Sequence, residues 1–313
     1  DIRDPVAHGR TGRFRPTQQV DRPLSAPVTG REGRHAPVVA HVEAITGDGR
    51  GLHRRDGVGR PLLVAALDGE RLHAVNTVDE AITIAAVGPY DRVETGQLIA
   101  TVKIIPLGLP AARCDDAARR ARPGGAPLIG VAPFQPRRAG LLQTLLPGTR
   151  DKVVEKTTTA IRERMQGLRG TLHAEERVAH RPQAIAEGLQ RLRAQGCDLL
   201  LVLGASATTD RRDVIPAGIE AAGGRVRHYG MPVDPGQLLV LAELDGTPAL
   251  ALPGSARSPR VGGNDWVLWR LVAGLDVTGD EIMRMGAGGL LKEIPTRPLP
   301  RAEAAPQRPA PTA

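Results

Sequence analysis

The sequence predicts an α/β protein: a three-layer α/β/α sandwich with a mostly parallel sheet, preceded by a small β-rich domain. Three observations lead to this fold class. Strand-like and helix-like segments alternate between residues 127 and 275, as in a parallel sheet covered by helices on both faces. The run 199–203 is continuously apolar, which is typical of a central strand buried on both sides. Residues 36–110 instead carry short β-prone runs.

The predicted β-rich domain consists of short runs that Gly- and Asp-containing turns separate. The runs lie at 38–45, 61–66, 71–75, 81–87 and 98–105. The stretch 93–97 resembles a hairpin that leads into the last strand. Residues 111–126 are rich in Ala and Arg and end at Pro123-Gly124-Gly125, which predicts a short helix or a linker at a domain boundary.

The predicted α/β/α domain, 127–275, has recognisable helix starts. Asp151 is placed to cap a helix with one apolar or methyl-bearing face, formed by Val154, Thr158, Ile161, Met165 and Leu168. Pro182 opens a second helix, Asp213 caps a third over 214–222, and a fourth covers 264–273. The predicted strands lie at 128–132, 141–146, 172–178, 199–203, 225–229, 238–244 and 248–252.

The ends of the chain differ from these two regions. Residues 1–35 are rich in Arg, Pro and Gly and lack apolar periodicity, which predicts disorder. Residues 276–300 are expected to pack back as an extension, and 301–313 have the composition of a flexible linker to something beyond. Two cysteines cannot build a disulfide framework. No apolar run approaches the length of a bilayer span and no secretory signal is visible, so we expect a cytoplasmic protein that contacts no membrane.

The net charge of +8 at first suggests a nucleic-acid partner. However, all but four of the 42 basic residues are arginines, and Gly and Pro are also abundant, so the charge reflects a global compositional bias. Proteins that bind single strands stack bases on aromatic rings. Aromatic residues make up 2% of this chain and are scattered along it. We therefore expect no nucleic-acid partner.

Three loops follow strands of the predicted parallel sheet, at the edge where α/β proteins bind ligands. They are 146–150, 204–213 and 252–259. The second loop combines small residues, hydroxyl donors and a helix start, which together suit an anion. Arg211 and Arg212 can add phosphate contacts. A structural interpretation stays open, in which Asp213 is a helix cap and both arginines are solvated.

Other kinds of site find less support. The pattern Gly204-x-Ser206-x-Thr208 hints at a hydrolase nucleophile elbow, but the final Gly is missing and His228 is the only later histidine. The chain has no P-loop motif. His173, His180 and His228 lack metal-ligand spacing, so surface or supporting roles are the default and no metal site is predicted.

Two motifs resemble the molybdopterin-binding domain shared by molybdopterin adenylyltransferase, molybdopterin molybdotransferase and the competence/damage-inducible proteins. In that family a buried strand ends in a Gly-rich Ser/Thr loop, followed by Arg-Asp, a spacer and Pro, as at 201–216 here. A second motif, Leu-Pro-Gly with a small polar turn and Ser, matches 252–258. The segments 204–213, 230–236 and 285–295 are similar to a bacterial subgroup in which this domain often precedes a cytidylyltransferase-like domain.

The resemblance implies a ligand, molybdopterin or its molybdenum-loaded form, and a set of residues that bind it. These are Gly204, Ala205, Ser206, Thr208, Thr209, Asp210, Arg212, Pro253, Gly254, Ser255, Arg257 and Ser258. Asp213 matches the catalytic acid of the adenylyl-transferring members, and in an enzyme of this kind we would expect Mg²⁺ as a cofactor. The chain departs from the family at two places. Ala205 stands where the family has a glycine, and the acidic residue that the catalytic members carry just before the helix at 182 is missing from the sequence around His180.

Three functional hypotheses follow from the resemblance. In the first, the protein binds the phosphorylated pterin and holds it for an attached or separate nucleotidyltransferase, or for molybdenum insertion. In the second, it is itself a transferase of molybdenum cofactor synthesis, with Asp213 positioning Mg²⁺ or the phosphoryl group. In the third, it is a regulatory or scaffold relative without a ligand. The missing upstream acid favours the first. A homo-oligomer is compatible with all three.

Overall fold

The computed structural model describes residues 39–43, 62–94, 97–125 and 127–291. The predicted disorder at 1–35 and the predicted linker at 301–313 lie outside these residues. Within them, no helix is long and apolar enough to cross a membrane. The strands and helices are numbered below in chain order.

The N-terminal part contains two small antiparallel sheets and two helices. One sheet has the order β1-β5-β3 and the other β4-β2-β6. These elements are β1 (Val39–Glu43), β2 (Leu62–Leu67), α1 (Gly69–Asn76), β3 (Ile82–Ala86), β4 (Arg92–Glu94), β5 (Leu98–Ile104), α2 (Ala111–Ala121) and β6 (Ile129–Pro133). Val75 of α1 and Ala117 of α2 share one small buried cluster with Leu128.

The C-terminal part is an α/β unit built on one six-stranded sheet of order β10-β11-β12-β9-β7-β8. Only β11 runs against the others. Its elements are β7 (Arg138–Leu145), α3 (Asp151–Gln166), β8 (Thr171–Ala179), α4 (Pro182–Ala194), β9 (Leu199–Leu203), α5 (Val214–Ala221), β10 (Arg225–Tyr229), β11 (Val240–Leu244), β12 (Thr247–Leu252), α6 (Gly263–Val272) and α7 (Gly279–Met283).

The central strand β9 shows why the sheet has helices on both faces. All five of its residues are buried. Because side chains alternate along a strand, Leu199, Leu201 and Leu203 join the core cluster under α3 and α6. Leu200 and Val202 join the cluster under α4 and α5. The predicted fold class, an α/β/α sandwich with a mostly parallel sheet and a small β-rich region before it, is confirmed.

Three local predictions were wrong. Residues 71–75, predicted as a strand, lie in α1, because Asp68 caps that helix by accepting the Arg71 N–H. A five-residue run with apolar positions three apart suits a helix as well as a strand. The predicted hairpin around 93–97 does not form, since β4 and β5 belong to different sheets. Arg150, rather than Asp151, occupies the cap position of α3 and makes no side-chain cap bond.

The strand predicted at 128–132 forms but pairs outside the large sheet. It is β6, which runs antiparallel to β2 in the N-terminal part. Residues 276–291, which follow the large sheet, contribute Val277, Ile282 and Met285 to the core cluster under α3 and α6. The chain therefore contacts the α/β unit again after α6.

Candidate functional site

Four parallel strands bring separate parts of the chain to one edge of the sheet. β8, β7, β9 and β12 are neighbours that run the same way, so their carboxyl ends lie together. The chain passes from β7 outward to β8, and from β9 toward the opposite side of the sheet. Such a reversal opens a crevice at the carboxyl ends of β7 and β9. The loop after β9 begins there, and the loop after β12 begins beside it.

A small cleft of about 110 Å³ lies between these two loops. Most of its wall comes from residues that the sequence predicted as ligand-binding. Those residues are Gly204, Ala205, Ser206, Thr208, Pro253, Gly254 and Arg257. Ala207, Leu238 and Leu252 complete the lining.

The other predicted ligand-binding residues lie outside this lining. The Arg212 side chain is 94% exposed, and its Nε atom lies 3.6 Å from Asp210 Oδ1. Thr209 donates its backbone N–H to Asp213 Oδ2. The Ser255 hydroxyl is buried and has no hydrogen-bond partner in the described part of the chain. Ser258 accepts a backbone N–H at its hydroxyl.

Asp213 has the geometry of a helix cap. Its Oδ1 accepts the Val214 N–H at 2.7 Å, and its Oδ2 accepts the Thr209 N–H at 3.0 Å. No group of three or more His, Cys, Asp or Glu residues that could hold a metal ion occurs among the described residues. Each carboxylate oxygen of Asp213 therefore already accepts one backbone hydrogen.

Three consecutive residues of the cleft lining have backbone N–H groups with no acceptor in the part of the chain that the structure describes. The backbone N–H groups of Ser206, Ala207 and Thr208 donate no hydrogen bond within the described residues. The Thr208 carbonyl accepts the Tyr229 hydroxyl at 3.2 Å, which fixes the far end of the loop. Burial, and then the charges of Asp210 and Asp213, raise the pKa of Tyr229, so that this phenol keeps its proton and remains a donor.

Arg257 adds a positive charge to the same cleft. Its Nη2 donates to the Gly204 carbonyl at 2.8 Å, which links the two loops. Its Nε is buried without a hydrogen-bond partner, and no acidic side chain pairs with it among the described residues. Burial lowers the pKa of this guanidinium, yet an arginine stays charged in proteins. An unpaired, partly buried cation beside free N–H groups favours an anion.

Arg164 of α3 holds the loop after β12 in place, a role that the sequence analysis missed. Its Nη1 and Nη2 donate to the carbonyls of Ala256 and Ser258, each at 2.9 Å. Its Nε contacts Asp265 Oδ1 at 2.5 Å, and both side chains of this ion pair are almost fully buried. In the sequence, Arg164 directly precedes Met165, which belongs to the apolar face of α3. This neighbourhood is the only signal in the sequence for a supporting role of Arg164.

Thr144 and His180 support the loop after β9. Thr144 Oγ1 accepts the Ala205 N–H at 2.8 Å and lies 2.8 Å from His180 Nδ1. His180 Nε2 lies 2.9 Å from Ser206 Oγ. The hydrolase motif predicts a histidine partner later in the chain than Ser206, whereas the contact comes from His180, which directly follows β8.

Comparison with known proteins gives little guidance. No protein-family model matches the chain, and no curated protein matches it. One solved structure to which it is similar is a molybdopterin biosynthesis moea protein from Pyrococcus horikosii, with 12% sequence identity and a TM-score of 0.35. The match covers 77% of this chain and 76% of that one. At that TM-score the likeness is too low to assign a fold or a function.

Proposed function

We propose that this protein binds a small phosphorylated ligand, molybdopterin or its molybdenum-loaded form, in the cleft between the loops after β9 and β12. One observation carries the proposal: Ser206, Ala207 and Thr208, three consecutive residues whose backbone N–H groups have no acceptor among the described residues, line the same small cleft as the unpaired Arg257 cation. Successive free N–H groups form a concave site for a phosphate. A guanidinium strengthens such a site through charge-assisted hydrogen bonds.

The size of the cleft limits what it can enclose. Pockets that bury a whole drug-sized molecule measure roughly 300–1,000 Å³, whereas this cleft measures about 110 Å³. The proposal therefore places only the phosphate end of the ligand inside, and the pterin lies outward along the sheet edge. The choice of a pterin rests on the resemblance of the motifs at 201–216 and 252–258 to the molybdopterin-binding domain.

The decisive experiment is a titration of the purified protein with molybdopterin. We expect saturable binding at micromolar ligand, with inorganic phosphate as a competitor. Arg257→Ala should weaken binding about tenfold or more, because hydrogen bonds to charged groups contribute about 1.5–3 kcal/mol. Arg212→Ala removes an equal charge from an arginine that is almost fully exposed, and should change the affinity less than twofold. The absence of saturable binding, or equal losses in the two variants, would refute the proposal.

The proposal also includes a handover. The protein would hold the phosphorylated pterin while an attached or separate nucleotidyltransferase, or a molybdenum-inserting step, acts on it. The geometry of Asp213 supports holding rather than turnover, since Oδ1 caps α5 through the Val214 N–H and Oδ2 accepts the Thr209 N–H of the preceding loop. Incubation with molybdopterin and ATP or molybdate should therefore give binding without product. Turnover that Asp213→Asn abolishes would instead assign the transferase activity to this chain.

A further inference from the structure

Two hydrogen bonds connect Thr144, His180 and Ser206. The buried hydroxyl of Thr144 determines which group donates and which accepts in each of them. Thr144 is only 3% exposed, so both its hydrogen and its oxygen need partners within the protein. The oxygen accepts the Ala205 N–H. Within the described residues, the only group left to accept the hydroxyl hydrogen is His180 Nδ1, at 2.8 Å.

This assignment fixes the tautomer of the imidazole. A neutral histidine has one N–H donor and one acceptor nitrogen. If Nδ1 accepts the Thr144 hydrogen, the proton of the ring is on Nε2, which lies 2.9 Å from Ser206 Oγ. In the opposite tautomer, Thr144 would receive two hydrogens while its own had no acceptor. A buried unpaired hydroxyl costs about 1–3 kcal/mol, so that arrangement is disfavoured.

The protonation of His180 Nε2 determines whether Ser206 can act as a nucleophile or only as a hydrogen-bond donor. A serine becomes a nucleophile when a neighbouring base accepts its proton, but here Nε2 carries a hydrogen and donates it to the serine oxygen. The hydroxyl hydrogen of Ser206 is then free for another acceptor. Ser206 lines the cleft beside the free N–H groups of Ala207 and Thr208. The Ser206 hydroxyl and these two N–H groups can therefore all donate hydrogen bonds to a ligand in the cleft.

We propose that Thr144 and His180 are positioning residues that make Ser206 a hydrogen-bond donor to the ligand, so that the cleft selects a group that only accepts hydrogen bonds. An ionised phosphate oxygen is such a group, and a protonated or hydroxyl-bearing group is not. This inference rests on the proposed function for the identity of the ligand. The tautomer on which it depends is a property of the protein alone and can be tested without ligand.

The first test is nitrogen NMR of protein labelled with ¹⁵N-histidine, at about pH 8, where an ordinary imidazole is neutral. His180→Gln identifies the resonances of His180 by their loss. We expect a protonated Nε2 and an unprotonated Nδ1. Thr144→Val removes the hydroxyl that donates to Nδ1 and should allow the other tautomer to appear. A protonated Nδ1 in the unmodified protein would overturn the proposal, whatever the ligand proves to be.

The second test is a double-mutant cycle of molybdopterin affinity with Ser206→Ala and Thr144→Val. Ser206→Ala should weaken binding about tenfold, because a hydrogen bond to a charged acceptor is lost. Thr144→Val removes the bond to the Ala205 N–H in both backgrounds, so it should weaken binding in both, but several-fold more when Ser206 is present than in the Ser206→Ala background. If Thr144 only supported the loop through Ala205, it would weaken binding equally in both backgrounds, and the proposal would be wrong.

A conservative replacement provides a rescue. A glutamine side chain at position 180 has an amide N–H donor close to the position of Nε2 in His180. A leucine side chain has a similar size but no donor. His180→Gln should retain affinity within about threefold, and His180→Leu should lose about as much as Ser206→Ala. Equal affinities of these two variants would contradict the donor role. If wild-type protein binds no molybdopterin, the proposed function fails, and the NMR result alone decides on the tautomer.

Discussion

Asp213 is the residue at which a structural and a catalytic role can be separated most directly. Its carboxylate accepts the Val214 N–H at the start of α5 and the Thr209 N–H in the preceding loop. Asparagine caps a helix about as well as aspartate, whereas replacing such a cap with alanine costs about 0.5–2 kcal/mol. Asparagine has only one acceptor oxygen, so Asp213→Asn keeps one of these two hydrogen bonds and loses the other. We therefore expect Asp213→Ala to lower the free energy of unfolding by about 1 kcal/mol and Asp213→Asn to lower it less, with ligand affinity kept in Asp213→Asn.

Chemical denaturation measures the stability of both variants, and titration with molybdopterin measures their affinity. A large loss of ligand affinity in Asp213→Asn, with stability above that of Asp213→Ala, would contradict a purely structural role. That result would show that the negative charge itself is required at the site.

Gly204, the first residue of the loop after β9, has no room for a side chain. A Cβ atom there would lie 2.6 Å from Ile215 Cδ1 and 2.7 Å from the Ser206 carbonyl oxygen. The side chain of Ile215 can adjust, but the backbone oxygen belongs to the proposed phosphate-binding loop. Gly204→Ala should therefore displace that loop, lower the free energy of unfolding by about 1–3 kcal/mol and weaken ligand binding.

Gly69 provides the matched control for this substitution. It opens α1, and a Cβ atom there would meet no atom within 4 Å. Alanine is the better helix former, so Gly69→Ala should leave stability unchanged or slightly higher, with normal ligand binding. Equal melting temperatures for Gly204→Ala and the unmodified protein would mean that the loop tolerates the added methyl group.

At the scale of elements, Arg164 connects α3 to the loop after β12. Its guanidinium binds two loop carbonyls and pairs with Asp265 in a buried position. Removing one partner of a buried ion pair typically costs about 3–5 kcal/mol, because the other charge is left without compensation. We expect Arg164→Ala to destabilise the protein by about that amount and to weaken ligand binding, since the loop that carries Arg257 loses its support.

Arg177 of β8 offers the comparison for Arg164. It also forms ion pairs, with Glu155 and Glu175 at 2.6 Å, but its side chain is 37% exposed. Pairs of this kind contribute about 0–1 kcal/mol. In urea unfolding, Arg177→Ala should therefore shift the midpoint much less than Arg164→Ala. Similar shifts for both would indicate that burial does not distinguish the two pairs.

The elements that the sequence predicted best are those with an unambiguous pattern. The apolar run of β9 and the strand–helix alternation around it identified the sheet and the edge where its loops meet. The run at 71–75 fits a strand or a helix equally, and the cap at Asp68 decided for the helix. Thr144 and His180 were not predicted as site residues, because the pairing of β7 with β8 and β9 brings them to Ser206 and no spacing along the chain reveals it.

At the scale of the whole molecule, the excess of positive charge is spread over many arginines. Several of them pair with carboxylates on the surface, as Arg191 does with Glu176 and Arg193 with Asp245. Arg257 differs, because it lies in a cleft and has no acidic partner in the part of the chain that the structure describes. The feature of the charge distribution that points to a ligand is therefore local, and the net value of +8 says little about function.

The N-terminal part and the α/β unit also meet around Tyr90, between β3 and β4. The guanidinium of Arg270 in α6 lies 4.0 Å from the centre of the Tyr90 ring. The Tyr90 hydroxyl donates to Glu281 Oε1 of α7 at 3.3 Å. A second contact of the same kind joins Arg92 of β4 to the Trp269 ring of α6. Both are cation–π contacts, which are strongest when the cation is withdrawn from water, and Arg270 is buried.

This contact predicts how stability depends on pH in alkaline solution. Burial, and then the charge of Glu281, raise the pKa of the Tyr90 phenol above its usual value of about 10. The folded protein therefore holds this proton more tightly than the unfolded chain does. The resulting stabilisation is complete below about pH 10 and is lost as the pH rises through the raised pKa.

Tyr90→Phe keeps the ring over Arg270 but has no proton to lose. Between about pH 8 and pH 11, the free energy of unfolding should fall more steeply for the unmodified protein than for Tyr90→Phe. Parallel curves from urea unfolding would show that folding does not raise the pKa of this phenol.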